Sequence, residues 1–260
     1  MATIAWEPFA ADYPRGELIE PHAHELAQLV FAKVGIMRVC TAAGAWVVPP
    51  ERALWMPAGV EHWIHCRTAV AMRTVYLDPA ITALGAAAAV LAVSALLREV
   101  ILRLVEGGPG DRAALLTLLV GELVATPVAP LHLPEPRDPR LRRVCAALMA
   151  DPGGARPLAA HARTAGASAR TLMRLFAAET GMTFRAWQRR LRLLEALERL
   201  AAGAPVTTVA LDLGYASPSA FIAAFRLALG VTPVRYFGSS RSARRAHQLA
   251  PIGSASSLKS

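Results

Sequence analysis

Cysteine is scarce in this sequence: Cys40, Cys66 and Cys145 are all there is. An odd number without a repeating spacing argues against a disulfide framework and predicts a reducing, cytoplasmic home. A long uncharged apolar run is also missing. The longest candidate, Ala80–Leu97, is alanine-rich and ends at Arg98 and Glu99, which suits a buried helix better than a membrane span. The opening MATIAWEPFAADYP has neither the basic nor the apolar region of a secretory signal, so none is predicted. Acids are the third shortage, and only in the second half. Residues 138–237 carry 6 Asp/Glu against 14 Arg, and residues 238–260 carry 4 bases and no acid. Residues 1–126 run the other way, with 9 Lys/Arg against 12 Asp/Glu. The net charge of +9 therefore belongs to the second half, which is expected to face a polyanion.

What is present divides the 260 residues into segments. LAQLVFAKVG, IMRVCTAAG, AWVVPPE, RALWMPAG and MRTVYLDP are short β-type runs punctuated by Gly and Pro, and they predict a small barrel or sandwich over residues 1–79. Residues 80–126 turn Ala/Leu-rich and predict two helices, Ala80–Glu106 and Arg112–Ala125. The prolines of residues 127–139 mark a linker. Residues 140–237 look helical throughout, and the Ser/Ala/Arg-rich 238–260 predicts a disordered basic tail.

Within 140–237 one pattern occurs twice. In PLAAHARTAGASARTLMRLFAAETGM a short helix meets Gly166, and Ser168 can N-cap a second helix whose Leu172, Leu175 and Phe176 face inward. Arg170, Met173 and Arg174 lie on the opposite face. In PVTTVALDLGYASPSAFIAAFRLALG the turn is at Gly214, Ser217-Pro218 starts the next helix, and Phe221, Ala224 and Phe225 repeat the inward set. Between them Trp187, Leu191, Leu194, Leu197 and Leu200 form the stripe of one long helix. As a helix, Thr183–Leu200 spans ~27 Å, of the order of the ~34 Å turn of DNA. One chain could then place two recognition helices in successive major grooves.

Leu158–Phe237 resembles the DNA-binding domain of the AraC/XylS transcription regulators, above all in GYASPSAFIAAFRLALGVTPVRYF. The resemblance implies that Ser168, Arg170, Thr171, Met173 and Arg174 lie at the DNA in the first unit. Ser217, Ser219, Ala220 and Ala223 would do so in the second. Family members often carry a long polar side chain where Ala223 stands, so the second helix is expected to read little sequence directly.

In the first half, EPHAHELAQ places His22, His24, Leu26 and Gln28 on one face if the stretch is a single strand, and His62 begins a later strand. Gly16, His22, His24, Gln28 and Gly35, followed by Pro57, Gly59 and His62, resemble the two motifs of the cupin barrel. Two positions depart: Gln28 stands for the usual glutamate, and Glu51 for a glycine. Three imidazoles are sufficient for a divalent Zn, Ni, Co or Fe ion, and alternation ranks Cys66 over His65 as a fourth ligand. The alternatives are a metal-free pocket for a small-molecule effector, with Trp46, Trp55 and Trp63 as walls, or a packed barrel.

The expectation is an α+β chain, an N-terminal cupin-like β-barrel with trailing helices and a C-terminal all-α domain with two helix-turn-helix motifs. It implies a regulator, not an enzyme, that binds double-stranded promoter DNA, senses an effector or metal, pairs as a homodimer through residues 80–126 and can meet RNA polymerase. The competing reading is a metal-dependent cupin enzyme, a dioxygenase or isomerase.

Overall fold

The computed structural model describes residues 5–81, 84–108, 110–123 and 131–238. Its first half is built of strands β1 (Trp6–Tyr13), β2 (Leu18–His22), β3 (Ala27–Val34), β4 (Met37–Thr41), β5 (Gly44–Val48), β6 (Arg52–Met56), β7 (His62–Cys66), β8 (Val70–Leu77), β9 (Ala89–Ala92) and β10 (His132–Pro134). They form two antiparallel sheets, ordered β1-β8-β3-β6-β9 and β10-β5-β4-β7-β2. In β4 and β7 burial alternates, so Met37, Val39, Ile64 and Cys66 enter the barrel while Arg38 and His65 stay on the outer face.

Strand β3 is instead buried along both faces over Ala27–Ala32. Val30 and Ala32 pack inside the barrel, whereas Ala27, Leu29 and Phe31 lie under helices α1 (Ala95–Glu106) and α2 (Arg112–Glu122). Leu97, Val100, Ile101, Leu104, Leu116 and Leu119 supply the other side of that layer. Each such leucine, fully buried, contributes ~1.5–3 kcal/mol.

The predicted helix over Ala80–Glu106 is corrected at its start. Helix α1 begins only at Ala95, where the Ser94 hydroxyl accepts from the Leu97 amide at 3.0 Å. The alanines just before it form β9, which pairs with β6 and covers its edge. Alanine's helix preference is weak, and the unpaired backbone of β6 outweighs it. Strand β10 arises in the proline-rich segment because it lies at a sheet edge, where proline is tolerated. The barrel thus takes strands from both segments that follow it. Residues 124–130 and 239–260, which hold the end of the second predicted helix, part of the linker and nearly all of the tail, lie outside the described residues.

The second half contains α3 (Pro139–Ala150), α4 (Leu158–Ala165), α5 (Ala169–Thr180), α6 (Phe184–Ala201), α7 (Val206–Asp212) and α8 (Pro218–Leu229). The predicted inward residues Leu172, Phe176, Trp187, Leu191, Leu194, Leu197, Phe221 and Phe225 are all buried in one core. Gly214, at φ 74°, locks the two units together: a Cβ there would overlap the Gly153 carbonyl, and one on Gly153 would overlap the Asp212 carbonyl. Arg192 of α6 donates to the Pro152 carbonyl at 2.8 Å and holds the same loop. This core also takes in Ile36, Val47, Leu131 and Leu133, so barrel and helices are packed together.

Candidate functional site

Two sites carry the chemistry, one inside the barrel and one on the helices. His22 ends β2 and faces His62, which begins β7, across the register of the second sheet. His24 lies in the link to β3, where its carbonyl accepts from the Gly59 amide at 2.8 Å. Gln28 lies on β3 in the first sheet. The expectation that His22, His24 and Gln28 share one face of a single strand is therefore corrected. The chain leaves one sheet after His22 and enters the other at Ala27, and the residues converge because the sheets face each other.

The three rings lie close. Centroids are 4.8 Å apart for His22–His24, 4.5 Å for His22–His62 and 5.3 Å for His24–His62. One ligand nitrogen from each falls within 4.8 Å of the others. His22 Nδ1 is 2.6 Å from the Glu20 carbonyl, and His62 Nδ1 is 2.9 Å from the Val60 carbonyl. A carbonyl only accepts, so each Nδ1 carries a proton, and in the neutral form of either ring the lone pair is on Nε2. Burial lowers the His62 pKa, and burial first, then His22 and His62, hold His24 at about 4. His24 Nε2 is buried without a partner.

Gln28, 2% exposed, spans the site. One end of its amide is 3.1 Å from His62 Nε2 and the other 3.2 Å from the Tyr76 hydroxyl. Because His62 Nε2 holds a lone pair, the contact is satisfied when the amide presents its NH₂ there and its oxygen to Tyr76.

Cys66 does point into the barrel, but it ends β7 four residues from His62, ~13 Å along the strand. It is not part of the histidine cluster, and burial pushes its thiol up to about 11. Trp55 packs outward beneath α1 and donates to the Gly85 carbonyl at 3.1 Å, so it is no pocket wall. Trp46 stacks on His132 at 4.3 Å. Gly16 and Gly35 have φ of 89° and 94°, and a Cβ on Gly35 would overlap the Ala69 carbonyl. Glu51, where the cupin pattern has glycine, is at φ 62° and is the one non-glycine residue at positive φ among the described residues.

On the helices, the Ser168 hydroxyl accepts from the Thr171 amide at 3.0 Å and lies 2.9 Å from the Thr171 hydroxyl, so both residues build the cap of α5. Arg170, Met173 and Arg174 are exposed beyond it. The Ser217 hydroxyl accepts from the Ala220 amide at 3.2 Å and caps α8, leaving Ser219, Ala220 and Ala223 exposed. Between the units is a cleft of about 740 Å³ lined by Met173, Gln188, Arg156 and Arg185 among others. Sequence reasoning missed Arg156 and Arg185. The signal for Arg185 was its place in the first turn after the capping Thr183, while nothing local placed the loop that carries Arg156.

Residues 161–239 match a family described as a helix-turn-helix domain. The chain is 36% identical to the HTH-type transcriptional regulator NimR of Escherichia coli (strain K12) over 227 residues, 85% of this chain and 83% of that protein. It is also 36% identical to the HTH-type transcriptional regulator RipA of Corynebacterium diphtheriae over 104 residues, 40% of this chain and 30% of that protein. Among solved structures, ToxT of Vibrio cholerae aligns over 90% of this chain and 98% of its own at 10% identity, with a TM-score of 0.39. No helix among the described residues is long and apolar enough to cross a membrane. With two capped helix-turn-helix units in a basic half, and a curated regulator alike over most of both chains, the protein belongs to the AraC family of DNA-binding transcriptional regulators.

Proposed function

We propose that this regulator is a cytoplasmic metal sensor in which His22, His24 and His62 bind a divalent transition-metal ion. The observation that carries this is that one ring nitrogen from each of the three imidazoles lies within 4.8 Å of the others, with two of the rings held by Nδ1–carbonyl hydrogen bonds. Metal-bound histidines are oriented by such contacts on the far ring nitrogen. Tetrahedral Zn–N bonds of ~2.0–2.1 Å place ligand nitrogens ~3.3 Å apart, so the rings would draw together on binding. Three imidazoles without a carboxylate favour Zn, Ni or Co over Fe. Gln28 where a metal-dependent cupin enzyme has glutamate supports sensing over catalysis.

At the DNA, Arg170, Met173 and Arg174 of α5 would read bases, and an arginine at a base edge selects guanine O6/N7. Arg156 and Arg185, at the cleft between the units, would meet phosphates. Helix α8 would dock by Ser217, Ser219, Ala220 and Ala223. Two copies would pair through α1 and α2, where Leu96 and Leu118 are exposed.

Elemental analysis of the purified full chain tests the sensor. We expect about one divalent ion per chain, and almost none in His22→Ala/His24→Ala, with the variant's affinity for a duplex selected from a random pool unchanged. Equal metal content in the two proteins would defeat the assignment. No metal in either, even after incubation with Zn²⁺, Ni²⁺ or Co²⁺, would leave the barrel to a metal-free effector.

A further inference from the structure

Helix α6 joins the two helix-turn-helix units, yet its other side lies on the barrel. Trp187 Nε1 donates to the Pro134 carbonyl at 3.1 Å, and Arg190 to the His132 carbonyl at 3.4 Å. Farther along, Glu195 accepts from Arg38 Nη2 at 2.7 Å. Glu198 accepts from Arg38 Nε at 2.7 Å and from Arg67 Nε at 2.6 Å. Arg38 is on β4, and Arg67 directly follows β7. From Trp187 to Glu198 the helix rises ~16 Å. The three strand spacings from β10 across β5 and β4 to β7 cover ~14–15 Å. The helix therefore crosses the outer face of the second sheet and stops one strand short of β2. The inner face of those last two strands carries His22 and His62.

Glu198 is 3% exposed, so its charge is held by two arginines of the other domain. Adhesion alone does not call for this. Ile36, Val47, Leu131 and Leu133 already give the seam an apolar contact, and desolvating buried ions cancels much of their attraction. What the ion cluster adds is a geometry that fails when its partners shift.

We propose that Arg38, Arg67, Glu195 and Glu198 form a latch through which occupancy of the histidine site sets the pose of α6, and with it both DNA-reading units. The proposal rests on the reading of the histidines as the sensor. Drawing His22 and His62 together displaces β7, whose far end is joined to Arg67, and the displacement reaches Glu198.

Hydrogen exchange on the full chain, with Zn²⁺ alone as the probe, tests it in the wild type, in Arg38→Met/Arg67→Met and in Glu198→Gln, which keeps the side-chain shape. In the wild type Zn²⁺ slows exchange in β2 and β7 and changes it in α6. In both variants the strands still respond and α6 does not. An α6 response of equal size in the variants overturns the latch, as does a wild-type α6 that ignores Zn²⁺ while the strands respond. If Zn²⁺ leaves even the strands unchanged, the metal reading fails separately, and the ion-free comparison decides the latch. The variants must then speed exchange in α6 about tenfold or more relative to wild type while α4 and α5 stay as they were. Equal exchange in α6 overturns it.

Discussion

The barrel and the helical half put their polar chemistry on opposite sides of their walls. In the barrel Gln28, His62 and Thr74 are 2%, 1% and 0% exposed, and the histidine cluster looks inward. In the helical half the arginines of α5 look outward from a core of leucine and phenylalanine. An inward site must recognise something small enough to enter, and its groups must be neutral or paired when empty. An outward site meets a macromolecule and keeps its charges solvated until contact. Among the described residues of the helical half Glu198 is the one buried acid, and its partners belong to the other domain.

The sharpest way to break the comparison is to unlock the two DNA-reading units while sparing the barrel. Gly214→Ala adds a Cβ at positive φ against the Gly153 carbonyl and should cost ~3–5 kcal/mol, measured as the urea stability of the helical half. Stability within experimental error of wild type would show that the two units are not locked there. Arg174→Ala touches only the outward chemistry. It should lose ~1–3 kcal/mol of specific binding and relax the preference at one base, leaving metal content unchanged. Unaltered footprints on selected duplexes would remove α5 from base reading.

A smaller effect is expected at the seam. Burial first, then the Arg190 charge, hold His132 at about 4, so it stays neutral in the fold while the unfolded chain takes up its proton below the ordinary value of 6.5. This contribution is complete above that value and is lost as pH falls toward 4. His132→Phe, which keeps a ring against Trp46, should lose less stability than wild type between pH 7 and pH 5, read from urea midpoints. Equal losses would clear His132. The smallest change expected is a gain. Glu51→Gly relieves a side chain at φ 62° and should add ~0.5–1 kcal/mol to barrel stability.

The caps of α5 and α8 at Ser168 and Ser217, and the stripes from Leu172 to Phe225, were legible because each depends on residues within a few positions of one another. The glycines Gly16, Gly35 and Gly59 were picked out by the resemblance to the cupin motifs, and the fold holds each of them at positive φ. The histidines were legible as a set, but His22, His24 and Gln28 were misplaced on one strand, because side-chain alternation holds only while the chain stays in one sheet. Strands β9 and β10 escaped notice because alanines and prolines take the strand form only when a sheet edge is waiting for them.

Sequence by itself thus determined the two capped helix-turn-helix units, which follow from short-range spacing, and by resemblance it pointed to the family and to the three imidazoles. Tertiary structure alone decided that Cys66 lies outside the cluster and that Gln28 reaches it from the opposite sheet. It alone brought Arg38 and Arg67 to Glu198, 160 and 131 residues away. Such contacts leave no periodic trace, because each partner is an ordinary surface charge in its own segment until the two domains close on it.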